Sequence, residues 1–163
     1  MAPLPVWGVA AEKLSAGAIQ GLVAALIVFP LAAIIPVTPV HLEVQWLKLL
    51  TLLPLAAITG SSLGLVIGTR VNPRQVPLLF GLVIIPMTFL GATYYPWASL
   101  TPIPWLKAVV LVNPLVYMSE GMRVSLTPYI PHMAYWGIYG GLILFAVGLS
   151  ALGIQGFSKR VLS

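Results

Sequence analysis

The chain has 163 residues, of which 60% are hydrophobic and only 7% are charged, and it has no cysteine. Soluble domains are about half apolar and about a quarter charged, so this chain has too few charges to cover a water-facing surface. The composition therefore predicts an integral membrane protein. The basic residues are scattered rather than clustered, which argues against a nucleic-acid surface. The lack of cysteine excludes disulfides and thiolate metal sites.

Four apolar stretches of roughly 20 residues are long enough to cross a hydrocarbon core of about 30 Å. The predicted spans cover residues 14–35, 49–67, 76–93 and 133–157. No internal repeat or soluble domain boundary interrupts them. We therefore expect residues 1–163 to form one all-α, polytopic membrane helix bundle with four transmembrane helices.

Residues 94–131 differ from these spans because they are rich in proline and aromatic residues. Their apolar pieces of about ten residues are too short to cross a bilayer. We expect two short helices, Pro104–Val112 and Pro114–Leu126, that lie at the outer interface or dip into it. Asn113 is a favourable helix cap and Pro114 suits a first helical position, so the Asn-Pro pair predicts where the second helix begins.

Glu120 is one of three acidic residues in the chain, and Arg123 follows it by three positions. At this spacing the two side chains face each other on a helix. As a solvated pair they would contribute only about 0.3–0.5 kcal/mol. In a poorly hydrated re-entrant segment each charge would need the other. The sequence leaves both alternatives open.

Glycines recur at helical spacing in two of the spans, and small residues at such spacing let helices approach closely. We predict packing roles for Gly60, Gly64, Gly68, Gly137 and Gly141. Ser62 lies in a formal G-x-S-x-G pattern, which would suit an intramembrane serine hydrolase only if a histidine faced it. The two histidines, His41 and His132, fall outside the predicted spans and do not form a metal-ligand pattern.

The basic residues predict the orientation of the spans. Five of them fall on the side that holds both termini: Lys13, Arg70, Arg74, Lys159 and Arg160. Three fall on the other side: Lys48, Lys107 and Arg123. Because cytoplasmic loops carry more Lys and Arg, both termini are expected in the cytoplasm.

The stretches LFGLVIIPMTFLGATYYPWASL and PIPWLKAVVLVNPLVYMSEGMR resemble the C-terminal signature of ABC-2 type transporter permeases. The shared pattern is a span ending in Gly, aromatics and Pro, a Trp-Leu segment, then Asn-Pro-Leu-x-Tyr, an acidic residue and Arg. The resemblance runs from about Arg70 to the C-terminus, and more loosely over the first two spans. Such permeases usually have six spans, so the chain is expected to be incomplete at its N-terminus. Leu90-Gly91 stands where the family usually has Ser-Gly.

The resemblance implies a permease subunit of an ATP-binding cassette exporter that moves a lipid, a glycan or a drug-like amphiphile. It implies a separate ATPase subunit that binds ATP, no cofactor on this chain, a second permease copy and a bacterial or archaeal plasma membrane. The implied outer gate comprises Tyr94, Tyr95, Pro96, Trp97, Asn113, Pro114, Glu120 and Arg123. The residues expected to face the ATPase are Glu12, Lys13, Arg70, Asn72 and Arg74. A non-transporting membrane scaffold remains the alternative function.

Overall fold

The computed structural model describes residues 6–35 and 41–162, and in this part of the chain all regular structure is helical. This confirms the predicted all-α class. The α-helices are α1 Val6–Ile34, α2 Trp46–Arg70, α3 Val76–Leu79, α4 Ile85–Phe89, α5 Pro104–Val109, α6 Pro114–Leu126 and α7 Tyr135–Leu162.

Three helical stretches within the described residues are long and apolar enough to cross a membrane: Val6–Val28, Trp46–Arg70 and Tyr135–Arg160. They correspond to the first, second and fourth predicted spans. The first begins eight residues before the predicted position 14, so Glu12 and Lys13 lie inside α1 rather than in a segment that precedes it.

The third predicted span forms a shorter, composite helix, Pro73–Phe89. It begins with a 3₁₀ turn at Pro73–Gln75 and widens into a π turn at Phe80–Ile84 between α3 and α4. Pro86 lacks an N–H and crowds the carbonyl of the preceding turn, which accounts for the wider turn just before it. At about 1.5 Å per residue the helix is roughly 25 Å long. This length is shorter than a hydrocarbon core of about 30 Å, so the predicted count of four spans is not confirmed.

The chain divides into two compact units. The first comprises Met1–His41, Pro54–Val71 and Phe145–Ser163, and the second comprises Leu42–Leu53 and Asn72–Leu144. Both α2 and α7 contribute residues to each unit.

In the first unit, α1 packs against α2 through small side chains. Ser61 Oγ on α2 donates a hydrogen bond to Leu14 O on α1 at 2.8 Å. A Cβ atom added at Gly17 would collide with the same Ser61 hydroxyl, and one added at Gly21 would lie 3.8 Å from Ala57 Cβ. Close helix contact through small residues is the usual way in which membrane helices gain packing energy.

The α2–α7 contact in the first unit also uses small residues. The hydroxyls of Ser62 and Ser150 lie 2.7 Å apart, and Ser62 Oγ also donates to Ile58 O at 2.7 Å. Further along, a Cβ added at Gly153 would lie 3.0 Å from a Leu65 methyl. The Ser62 hydroxyl thus takes part in helix packing, and no histidine is among its hydrogen-bond partners in the described residues.

In the second unit, α6 is the central helix. Val116, Glu120 and Val124 repeat every four residues along one face and are fully buried. A Cβ added at Gly121 would lie 3.4 Å from Ile138 Cγ2 on α7 and 3.7 Å from the Leu52 methyls on α2. One flank of α6 therefore packs on the first two turns of both α2 and α7.

The C-terminal end of α6 is capped by the extended segment before α2. Glu43 N donates to Leu126 O at 3.0 Å, and Gln45 N donates to Ser125 O at 2.8 Å. The last carbonyls of a helix lack intrahelical partners, so these two bonds satisfy groups that would otherwise be costly to bury.

The two short helices match their predicted bounds. The first, predicted over Pro104–Val112, consists of α5 followed by a 3₁₀ turn at Val110–Val112. The second coincides with α6, Pro114–Leu126. The asparagine cap and the proline at the first position determine this start, as the sequence predicted.

We predict that Gly141→Ala destabilises the protein, because a Cβ there would overlap the Tyr117 ring. The phenol of Tyr117 donates to Leu111 O at 3.0 Å, which limits how far the ring can move away. Overpacking of this kind costs about 1–3 kcal/mol. The measurement is the thermal unfolding midpoint of the full chain purified in detergent.

The matched control is Gly64→Ala, where an added Cβ meets no atom within 4 Å. This variant is expected to keep the wild-type midpoint or to raise it, since Ala favours a helix over Gly. Equal midpoints for the two variants would contradict the packing described for Gly141.

Candidate functional site

Glu120 and Arg123 form a buried ion pair on α6. Arg123 Nη1 contacts Glu120 Oε1, with the Glu120 side chain fully buried and the Arg123 side chain 12% exposed. The structure therefore supports the poorly hydrated alternative over a solvated surface pair. Loss of one partner of a buried pair typically costs about 3–5 kcal/mol, whereas exposed pairs contribute at most about 1 kcal/mol.

The Glu120 carboxylate also binds two backbone N–H groups from distant parts of the chain. Trp97 N donates to Oε1 at 2.9 Å, and Met133 N donates to Oε2 at 2.6 Å. Trp97 precedes α5, and Met133 lies in the linker before α7. Charge-assisted bonds are the stronger class of hydrogen bond, so one carboxylate fastens these two segments to α6.

Arg123 extends the same network to the turn after α4. Its Nη2 donates to Ala92 O at 2.9 Å and to Tyr95 O at 3.3 Å. Ala92 has a φ of 54° and is fully buried. This left-handed conformation costs a residue other than glycine about 1–2 kcal/mol, and the bond from Arg123 helps to hold it. We call Ala92, Tyr95, Trp97, Glu120, Arg123 and Met133 the Glu120–Arg123 cluster.

The Asn113 amide caps two helices at once. Its Oδ1 accepts a hydrogen bond from Leu115 N at 3.0 Å at the start of α6, and its Nδ2 donates to Met87 O at 2.6 Å at the end of α4. The same two ends are in close contact at Gly91, where an added Cβ would lie 2.8 Å from Leu115 Cβ. This contact explains why a glycine, with negative φ, stands at position 91.

Trp97 also links the cluster to α5. Its indole Nε1 donates to Lys107 O at 3.0 Å, and Lys107 Nζ lies 4.3 Å from the centroid of the Trp97 ring.

On α6, burial raises the pKa of the Tyr117 phenol above its ordinary value, so the hydroxyl stays protonated and acts as a donor.

The structure brings together four of the eight predicted gate residues, Tyr95, Trp97, Glu120 and Arg123. Asn113 and Pro114 occupy the start of α6. Tyr94 is 69% exposed, with its ring 5.3 Å from the Phe89 ring, and the Pro96 carbonyl accepts from Ser99 N. Whether these residues form a gate stays a prediction.

Sequence reasoning missed Ala92, Met87 and Met133 because they act through backbone atoms. Because almost every residue type has the same main-chain N–H and C=O groups, the residue type does not reveal which of them will bind a side chain. The sequence gives one indirect signal for Met133. A buried Glu120 carboxylate with one charged partner needs further hydrogen-bond donors, but the sequence does not show that the Met133 N–H is one of them.

The residues expected to face an ATPase lie on several different elements. Glu12 and Lys13 are exposed on α1, and Arg70 ends α2. Asn72 Oδ1 accepts from Arg74 N at 3.3 Å and caps the 3₁₀ turn of the composite helix. Among the described residues, neither Glu12 nor Lys13 makes a hydrogen bond or ion pair with Arg70.

The predicted packing glycines differ in their surroundings. Gly141 packs closely on Tyr117, whereas a Cβ at Gly64 or Gly68 would meet nothing within 4 Å. A Cβ at Gly137 would lie 3.3 Å from Met133 Sδ, just before the same helix. Gly60 is half-buried. A packing role for Gly64 and Gly68 stays a prediction, and it would require a neighbour other than the described residues.

A family model described as ABC-2 type transporter matches residues 2–127 of the chain. The matched range takes in the helices from α1 to α6 and stops before α7, whereas the sequence resemblance was strongest from about Arg70 to the C-terminus. Searches of curated proteins and of solved structures gave no match.

We predict that Glu120→Gln lowers the stability of the purified full chain by about 3–5 kcal/mol. The glutamine amide has one acceptor oxygen, so its NH₂ group would face either the Met133 N–H or the donors from Trp97 and Arg123. Arg123 would also lose its counter-ion. Chemical denaturation in detergent measures the loss, and Glu43→Gln, at an exposed glutamate, is the control. A similar small change in both variants would contradict the cluster.

A second prediction compares two Asn-Pro caps. Asn113→Asp keeps the acceptor for Leu115 N but places a carboxylate oxygen against Met87 O, so we expect a loss of about 1–3 kcal/mol. Asn72→Asp should be nearly neutral, because within the described residues the Asn72 side chain bonds through its oxygen, which accepts from Arg74 N. Thermal unfolding of both variants tests this difference. If the two changes are equally mild, the Asn113–Met87 bond contributes nothing measurable.

Proposed function

Because the chain belongs to the ABC-2 type transporter family, we propose that it is the permease subunit of an ATP-driven exporter. The family consists of membrane transport components rather than catalytic domains, and three long apolar helices agree with an integral membrane protein. The family match over residues 2–127 is the observation that carries the proposal. The proposed cargo is a lipid, a glycan or a drug-like amphiphile.

The proposed partners are an ATP-binding cassette ATPase on a separate chain and a second permease copy. Family members usually work with an ATP-binding subunit, which supports the first partner. The sequence has no Gly-Lys dipeptide and so no phosphate-binding loop of the G-x-x-x-x-G-K type. ATP would therefore bind the partner, and this chain would carry no cofactor.

In the proposed orientation both termini are cytoplasmic in a bacterial or archaeal plasma membrane. The arginines at positions 70 and 74 then lie near the ATPase, and residues 94–123 lie at the outer surface. The distribution of basic residues supports this arrangement, since cytoplasmic loops carry the excess of Lys and Arg.

We propose that the Glu120–Arg123 cluster is the rigid part of an outer gate. The carboxylate joins α6 to the segment before α5 and to the linker before α7. Separating the buried charges would cost several kcal/mol. When such a gate opens, the cluster would therefore move as one rigid body, and the chain would bend at segments outside the cluster.

The test uses the full-length native gene product expressed with its candidate ATPase subunit. The chain is expected to co-purify with that subunit, and vesicles containing both should move a fluorescent amphiphile when ATP is supplied. Glu120→Gln should lower the initial transport rate, because the segments that the carboxylate joins would no longer move as one body. Glu43→Gln is the control, and membrane insertion is checked by fractionation.

Two results would count against the proposal. If no ATPase subunit associates and deletion of the gene causes no transport defect, the scaffold alternative is favoured. If transport occurs but an inserted Glu120→Gln variant transports normally, the chain is a permease and the gate assignment is wrong.

A further inference from the structure

Two tryptophans mark one membrane surface at the first turns of α2 and α7. Trp46 is 63% exposed and Trp136 is 89% exposed. Tryptophans at the ends of apolar spans lie at the level of the lipid headgroups. Both residues belong to the second unit, where the Thr51 and Tyr139 hydroxyls hydrogen-bond and join the two helices.

Lys48 places a positive charge in this same region. Its Nζ lies 3.8 Å from the centroid of the Tyr135 ring, and the His132 ring lies 5.8 Å from that ring. An aromatic face attracts a cation but does not neutralise it, and the ammonium group has three N–H donors. Among the described residues no carboxylate lies within ion-pair distance of Lys48. Within the described residues the ammonium group therefore has an aromatic partner but no carboxylate.

We propose that Lys48, with Tyr135 and His132, binds the phosphate of an anionic phospholipid. The charge of the phosphate complements the ammonium group. Trp46 and Trp136 place this charge at the level of the lipid headgroups, where the phosphate of a phospholipid is the anion within reach. A free phosphate compound shares the headgroup chemistry but is not held at this depth, so the lipid is the occupant that the position of the two tryptophans favours.

The lipid site adjoins the Glu120–Arg123 cluster through the linker before α7. His132 Nδ1 lies 2.9 Å from Met133 O, and Met133 N donates to the Glu120 carboxylate. A lipid held against His132 and Tyr135 would therefore restrain the linker that anchors this carboxylate. The binding itself requires neither an ATPase partner nor transport, so it stands or fails separately from the proposed function.

The test measures lipid retention by the purified full chain in mild detergent by native mass spectrometry. Phosphatidylglycerol and phosphatidylcholine are offered in equal amounts. Wild-type protein is expected to retain phosphatidylglycerol preferentially. Lys48→Gln should lower that retention about fivefold, the effect of one lysine at an anionic surface, and Lys48→Arg should preserve it.

Lys107→Gln is the matched control because Lys107 also rests on an aromatic ring. Its Nζ already donates to Thr101 Oγ1 at 3.0 Å, so it has one donor fewer to offer a phosphate. The control should retain phosphatidylglycerol like wild type. Equal losses in the two variants would indicate general charge attraction and overturn the site.

Two further outcomes would overturn the proposal. They are a lack of preference for phosphatidylglycerol in the wild type, and displacement of the lipid by soluble glycerol phosphate at equal concentration. If Lys48→Gln does not purify in a folded form, Tyr135→Leu replaces it as the test. This variant removes the ring and leaves the lysine, and unchanged retention would also overturn the site.

Discussion

The second unit depends on one constraint, which is that a buried carboxylate must receive hydrogen bonds from the protein. Glu120 meets this requirement with Arg123 and with backbone N–H groups of Trp97 and Met133. Each donor comes from a different segment, so satisfying one charged group fixes the relative positions of three stretches of chain. Arg123 then binds the Ala92 carbonyl and holds the unusual turn after α4.

The two units are stabilised in different ways. In the first, α1, α2 and α7 meet through glycines and serines, which allow close backbone contact and supply short hydroxyl bonds such as Ser62–Ser150. In the second, short helices and loops have many backbone groups that no regular helix satisfies. Side chains such as Asn113 and Glu120 take over that task, because an unpaired polar group in an apolar setting costs several kcal/mol.

For the proposed outer gate, this difference between the units would have a functional consequence. A segment built of short helices can move, because its parts are joined by loops, but only if its polar backbone stays satisfied during the movement. A charged cluster at the junction of α6 with its neighbours meets that condition when it moves as a body. The Asn113 amide has a similar role between α4 and α6, where it provides caps for both helix ends.

The sequence alone predicted the all-helical membrane class, three long spans among the four that we expected, and the bounds of α6, because these depend on local hydropathy and on the Asn-Pro cap. It also predicted that Glu120 and Arg123 face each other, since their spacing is helical. The tertiary structure decided that the pair is buried and that its partners are backbone atoms of Ala92, Tyr95, Trp97 and Met133. It also showed Gly141 packing on Tyr117 while Gly64 stays open. Burial and main-chain bonds depend on contacts between distant segments, and no residue pattern encodes those contacts.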